Sequence, residues 1–164
     1  MNYAALKKTD IANGPGIRVS LFVSGCRRHC KNCFNPETWD FNYGNTFTEG
    51  TMKEILDALS KEYVEGFSLL GGEPFEKENR AVVLYILQTI RKTLPLKTIW
   101  CYSGFTFEEL IDDAKSILQC IDVLVDGEFM EDKKNLTLKF RGSENQRLID
   151  IKKTLESGKI SQIL

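Results

Sequence analysis

The sequence is short of several things that would each have pointed to a function. It has one histidine and four prolines, and no excess of either charge: 22 lysines and arginines face 23 aspartates and glutamates, a formal net charge of −1. Nothing in so balanced a chain suggests a basic face for nucleic acid, an acidic tail or a polybasic patch for a membrane surface. Long apolar runs are missing too. The longest uncharged stretches, Ala81–Ile90 and Thr98–Phe107, are ten residues each, whereas a bilayer-spanning helix needs about 18 or more. The opening residues MNYAALKKTDIANGPG lack the apolar stretch of a secretory signal, so the expected location is the cytoplasm. With 164 residues and 42% hydrophobic side chains, the chain suits one domain, residues 1–164, around one core. It is too short for a complete eight-stranded α/β barrel, which takes about 250 residues.

What the sequence does have is cysteine in an odd number. Five are present, and three of them, Cys26, Cys30 and Cys33, fall within eight residues. An odd count without a secretion signal argues against a disulfide framework and for metal or redox chemistry. Cys101 and Cys120 stand alone among apolar residues and read as small buried hydrophobes.

Periodicity organises the rest. Ile17–Ser24 alternates as a strand, with Ile17, Val19, Leu21 and Val23 on one face. Thr51 and Glu54 have the spacing of a capping box ahead of Ile55, Leu56 and Leu59. Phe67–Leu70 reads as a short strand closed by Gly71-Gly72, and Val83 to Leu94 as a long helix stopped at Pro95. Lys97–Tyr102 and Ile121–Val125 read as further strands. Between them, Thr106 and Glu109 form a second capping box, for a helix reaching Ala114. This alternation predicts an α/β fold with a mostly parallel sheet. The conspicuous segments then share one geometry, because Cys26, Gly71–Pro74, Tyr102–Gly104 and Asp126-Gly127 each follow a strand. In such sheets, sites gather at the carboxyl ends of strands. The long connection from Gly25 to Gly50 holds the cysteines, and loops that long are commonly functional.

Thiolates suit zinc, copper(I) or iron–sulfur iron. His29 could complete a three-cysteine, one-histidine zinc site. Alternatively, three cysteines could hold a four-iron cluster with one iron left open to a non-protein ligand. In Gly71-Gly72-Glu73-Pro74, glycines permit close backbone approach to a ligand and proline stiffens the turn. Arg18 reads as solvated, as paired across the mouth or as a ligand contact, and Asp112-Asp113 and Lys133-Lys134 as solvated surface.

The CxxxCxxC spacing of Cys26, Cys30 and Cys33, followed by GGEP, resembles the radical S-adenosylmethionine superfamily. The resemblance implies that these cysteines hold a [4Fe–4S] cluster whose fourth iron is chelated by S-adenosyl-L-methionine. It further implies that Gly71, Gly72, Glu73 and Pro74 surround the methionine ammonium, so that Gly72 tolerates no side chain. Many members carry an aromatic residue just before the third cysteine. Here that position is Asn32, which shifts the expected adenine contact to Phe34 or to backbone around Asn32 and Cys33. NGPGIR at Asn13–Arg18, YSGF at Tyr102–Phe105, VDGEF at Val125–Phe129 and RGSENQ at Arg141–Gln146 resemble the branch that activates anaerobic ribonucleoside-triphosphate reductases. This likeness adds Ser103 and Asp126 as cofactor-contacting candidates and implies a partial TIM-like barrel with flanking helices. It also implies a one-electron donor such as a flavodoxin, and a product radical on a glycine of the reductase. Another glycyl-radical enzyme as target, a radical enzyme acting on a small molecule, and a non-catalytic zinc module are the alternatives.

Overall fold

The computed structural model describes residues 1–163. Its elements are β1 (Asn2–Asp10), β2 (Ile17–Val23), β3 (Asn45–Thr46), α1 (Glu49–Leu59), β4 (Val64–Gly71), α2 (Lys77–Thr93), β5 (Thr98–Tyr102), α3 (Phe107–Leu110), α4 (Lys115–Leu118), β6 (Val123–Asp126), β7 (Arg147–Asp150) and α5 (Ile151–Ser157). All seven strands form one open sheet in the order β3-β1-β2-β4-β5-β6-β7. The class is α/β as expected, but the sheet is mixed rather than mostly parallel. β2, β4, β5 and β6 run parallel, while β1, β3 and β7 pair antiparallel at the flanks. Among the described residues, no helix is long and apolar enough to cross a membrane.

The pleat explains the layering. Val19, Leu21 and Val23 of β2, Phe67 and Leu69 of β4, Ile99 and Cys101 of β5, and Leu124 of β6 belong to one buried cluster. Met52, Ile55 and Leu59 of α1, Val83, Ile86, Leu87 and Ile90 of α2, and Leu110, Ile117 and Leu118 further on join it from the helices. Alternate residues project to the other face of the sheet. There Trp100, Val123, Val125 and Leu148 form a separate small cluster with Tyr102 and Phe140. Helices thus back one face, and loops cover the other.

Two local readings shift. Helix α1 is capped by Thr48, whose hydroxyl accepts from the Thr51 N–H while the Thr51 hydroxyl accepts from the Thr48 N–H. The cap therefore lies one turn earlier than the Thr51/Glu54 spacing suggested. The Thr106/Glu109 box forms as expected, yet its helix stops at Leu110 and resumes at Lys115. Asp112 and Asp113, poor helix formers, occupy the break.

Arg18 is neither solvated nor ion-paired. It is fully buried, and burial lowers its pKa to about 10, leaving it charged at neutral pH. Its guanidinium donates to Ser68 Oγ at 2.8 Å, Phe67 O at 2.9 Å, Thr98 Oγ1 at 3.0 Å, Thr98 O at 3.1 Å and Pro15 O at 3.3 Å. Ser68 Oγ in turn donates to Asn13 O at 2.6 Å. One cation therefore stitches β2, β4 and β5 together beneath the 11–16 turn. Arg18→Met should lower unfolding free energy by about 2–3 kcal/mol, because it strands several buried carbonyls and hydroxyls. The midpoint of urea unfolding checks this, and an unchanged midpoint would show the network to be dispensable.

Candidate functional site

At the carboxyl ends of the parallel strands lies a cavity of about 450 Å³. Phe22, Leu70, Tyr102 and Val125 enter from the sheet; Cys26, Cys30, Cys33 and Phe34 come from the loop after β2. Gly71, Gly72 and Glu73 follow β4, and Ser103 and Gly104 follow β5. Four separate strand ends meet here, as the sequence spacing implied. Asn32, Pro74 and Asp126 do not line the cavity.

The cysteine loop bends through two left-handed residues, His29 at φ 49° and Asn32 at φ 56°. Asparagine tolerates that region better than an aromatic residue does, which gives Asn32 a conformational reason for its place. It is exposed and turns the chain so that Cys30 and Cys33 reach the same wall. Cys26 is buried, and Cys30 and Cys33 are half-buried. Burial pushes the Cys26 thiol up to about 11 and raises that of Cys30, against weak opposition from nearby N–H groups. Without metal these two thiols hold their protons, so metal loading has to displace them.

Among the described residues, no three His, Cys, Asp or Glu side chains are already gathered for a metal ion. His29 stacks on Trp39 with ring centroids 4.3 Å apart, which makes it a packing residue of the loop. Three soft donors on one cavity wall suit a four-iron cluster with one iron left to another ligand.

The loop is anchored by backbone. Gly25 N–H donates to Thr38 O at 2.7 Å, Cys26 N–H to Trp39 O at 3.2 Å, Glu73 N–H to Gly25 O at 2.8 Å and Gly72 N–H to Val23 O at 2.7 Å. A Cβ on Gly72 would stand 2.7 Å from both Gly25 O and Thr38 O. The chain's own loop thus already requires this glycine, whatever ligand also approaches it. Asn79, buried at the start of α2, donates to Ser24 O at 3.0 Å and Glu73 O at 3.1 Å. Glu76 accepts from the Arg27 N–H at 2.8 Å. Asn79, Glu76 and Thr38 were missed from sequence, since their partners are far along the chain.

Glu73 is almost fully buried, and its carboxylate is already engaged. Oε1 accepts from Ser103 Oγ at 2.8 Å and Phe75 N–H at 3.0 Å, and Oε2 from Gly104 N–H at 2.7 Å. Burial outweighs these bonds and raises its pKa to about 7. Pro74 is buried in the turn leading to α2. Asp126 is buried against Arg147 at 2.5 and 2.9 Å and accepts from the Phe107 N–H at 2.8 Å. This ion pair joins β6 to β7, and Asp126 stands behind the cavity wall rather than on it.

The far wall is the segment between β6 and β7. Phe129, Leu138, Phe140, Arg141 and Gly142 line the cavity. Gln146 closes this segment: its Oε1 accepts from Gly142 N–H at 2.8 Å and Ser143 N–H at 3.1 Å, and its Nε2 donates to Gly127 O at 3.0 Å. Much of RGSENQ therefore acts as a structural clamp. Phe129 packs on Phe34, with ring centroids 4.9 Å apart.

Residues 12–149 match the family model described as a 4Fe-4S single cluster domain, which places the chain in the class of single-cluster iron–sulfur proteins. A zinc module is thereby set aside, in keeping with the stacked His29. Among similar proteins, the anaerobic ribonucleoside-triphosphate reductase-activating protein of Enterobacteria phage T4 is 40% identical over 150 residues, covering 90% of this chain and 93% of that one. Those of Vibrio cholerae and Escherichia coli K12 are each 40% identical over 148 residues, covering 89% of this chain and 96% of theirs. The chain belongs to the family of anaerobic ribonucleoside-triphosphate reductase-activating proteins.

Two outcomes follow from this geometry. Gly72→Ala should reduce the iron bound after anaerobic reconstitution, by forcing the Gly25 and Thr38 carbonyls apart, whereas Cys101→Ala should leave iron content intact. Colorimetric iron per protein checks both, and full loading of Gly72→Ala would show the backbone seam to be unnecessary. The second outcome is a pH effect. Glu73 has a folded pKa near 7 against an ordinary value of 4.5. Its contribution to stability is fully present below about 4.5 and is lost as pH rises through about 7. The metal-free protein should therefore lose stability across that window by up to about 1.4 kcal/mol per pH unit. Denaturation of Glu73→Gln at matched pH values should lack this slope.

Proposed function

We propose that this chain activates an anaerobic ribonucleoside-triphosphate reductase by generating a glycyl radical on it, with a [4Fe–4S] cluster and S-adenosyl-L-methionine held in the strand-end cavity. The observation that carries this reading is the meeting of Cys26, Cys30 and Cys33 with Gly71–Glu73 and Ser103-Gly104 around one opening. When bound, the cluster and S-adenosyl-L-methionine supply one-electron reductive cleavage leading to hydrogen-atom abstraction. The residues do the holding. Cys26, Cys30 and Cys33 ligate three irons, and Gly71 and Gly72 bring backbone to the cavity wall where the methionine moiety would lie. Phe34, paired with Phe129, offers an aromatic face to the adenine, and Glu73 fixes Ser103 and Gly104 in the opposite wall.

The open sheet, read as a partial TIM-like barrel, leaves a side through which a loop of a large protein substrate can enter. Ile11, Phe34 and Leu136 are exposed by 76%, 61% and 85% on segments that contribute to the cavity, and they offer apolar contact to such a loop. The reductase named for the relatives is the substrate this reading assigns. A flavodoxin-like protein would deliver the electron, and the whole chain would work as one unit in the cytoplasm.

The test is anaerobic reconstitution with iron and sulfide, reduction, and incubation with S-adenosyl-L-methionine and an anaerobic ribonucleoside-triphosphate reductase. A glycyl doublet should appear by electron paramagnetic resonance, together with deoxyadenosine. Alanine at Cys26, Cys30 or Cys33 should abolish both. A radical formed on a different glycyl-radical enzyme but never on the reductase would overturn the substrate assignment.

A further inference from the structure

Arg28 lies between Cys26 and Cys30, yet its side chain leaves the loop and crosses the cavity wall. The guanidinium sits 4.3 Å from the Phe105 ring centroid, with Nη2 3.7 Å from Glu109 Oε2 and Nη1 3.4 Å from Glu128 Oε2. Phe105 and Glu109 follow β5, and Glu128 follows β6. A single cation from the cysteine loop is thus tied to two other strand ends. Gly104 makes room for it, because a Cβ there would fall 2.4 Å from Arg28 Cδ and 2.7 Å from Nε. The side chain is only 21% exposed, and its buried Nε has no hydrogen-bond partner among the described residues. Arg28, the three loop cysteines and Glu73 line the same cavity.

We propose that Arg28 is a positioning residue whose charge, opposed by Glu128, sets the reduction potential of the cluster held by Cys26, Cys30 and Cys33; this rests on the ligand assignment made above. One-electron reduction adds a negative charge to the cluster and makes or breaks no bond. A nearby cation favours the reduced state and a nearby carboxylate opposes it, the more so where burial limits screening. Removing Arg28 also leaves Glu109 and Glu128 without their counter-ion, so both consequences have the same sign.

The experiment uses the full chain, reconstituted anaerobically and titrated with titanium(III) citrate and mediators, reading the reduced cluster by electron paramagnetic resonance. Arg28→Gln should shift the potential negative by about tenfold in the reduction equilibrium, about 59 mV for one electron. Arg28→Lys should recover most of that shift. Glu128→Gln should move the potential the other way. A merely structural role would change iron content without this signed pattern. Variants with full iron whose potentials do not move, or move in the same direction, overturn the inference. Should Arg28→Gln fail to hold a cluster, Glu128→Gln decides alone, since that carboxylate is half-exposed and its side-chain contact is Arg28. Its potential must rise, and one unmoved or lowered overturns the proposal. A wild-type chain that assembles no reducible four-iron cluster overturns the ligand assignment and this inference together.

Discussion

Everything at the cavity depends on a short backbone seam where the exits of β2 and β4 are bonded edge to edge. Gly25 gives its N–H to Thr38 and its carbonyl to Glu73, while Gly72 gives its N–H to Val23. These bonds satisfy polar groups that would otherwise be buried unpaired, where each costs on the order of 1–3 kcal/mol. They also fix the point from which the cysteine loop departs. Side chains are excluded from the seam because carbonyl oxygens already occupy the volume a Cβ at Gly72 would need. Asn79 then fastens the seam to the first turn of α2, so the ligand-bearing loop departs from a point bonded to both a strand and a helix.

The same design recurs around the opening. Where the sequence places a charged or polar residue just past a strand, the structure often spends it on a neighbouring strand end. Glu73 ties β4 to the Ser103-Gly104 turn, and Asp126 ties β6 to Arg147. The apolar floor and the thiols are left free to face the cavity. Positioning and binding are divided between different residues, and the carboxylates fall mainly on the positioning side.

This division explains what could be read in the sequence. Strands β2, β4, β5 and β6 were legible because alternation and helix-backed burial impose a period of two. Their carboxyl ends, and with them the cysteine and glycine segments, followed directly. Strand β1 was not legible: apart from the buried Asp10 its residues are half-buried or exposed, with Lys7 and Lys8 inside it, and pairing rather than pattern holds it. Arg18 misled because an alternating strand puts it on the face opposite Val19, which is ordinarily wet. Here that face is closed by the 11–16 turn and by Trp100, whose ring lies 5.8 Å from the guanidinium. Asp126 was recognised at the right strand end, but Arg147 lies 21 residues on, and no local signal announces such a partner. The RGSENQ segment carried information about family without revealing its work as a clamp.

Helices on a single face of the sheet have a further consequence. Native-state opening is cheapest where few apolar contacts must be broken, and here those contacts are concentrated on the helix side. The segment between β6 and β7 rests on the thinner side, where its Phe140 packs against a small cluster made by Trp100, Val123, Val125 and Leu148, and the cysteine loop lines the cavity beside it. Amide exchange should accordingly divide the molecule along the plane of the sheet. Slow protons belong to the helix-backed strands and fast ones to the loops over the cavity. Such a molecule can rearrange its ligand-bearing wall as a small cooperative unit while the larger one stays folded.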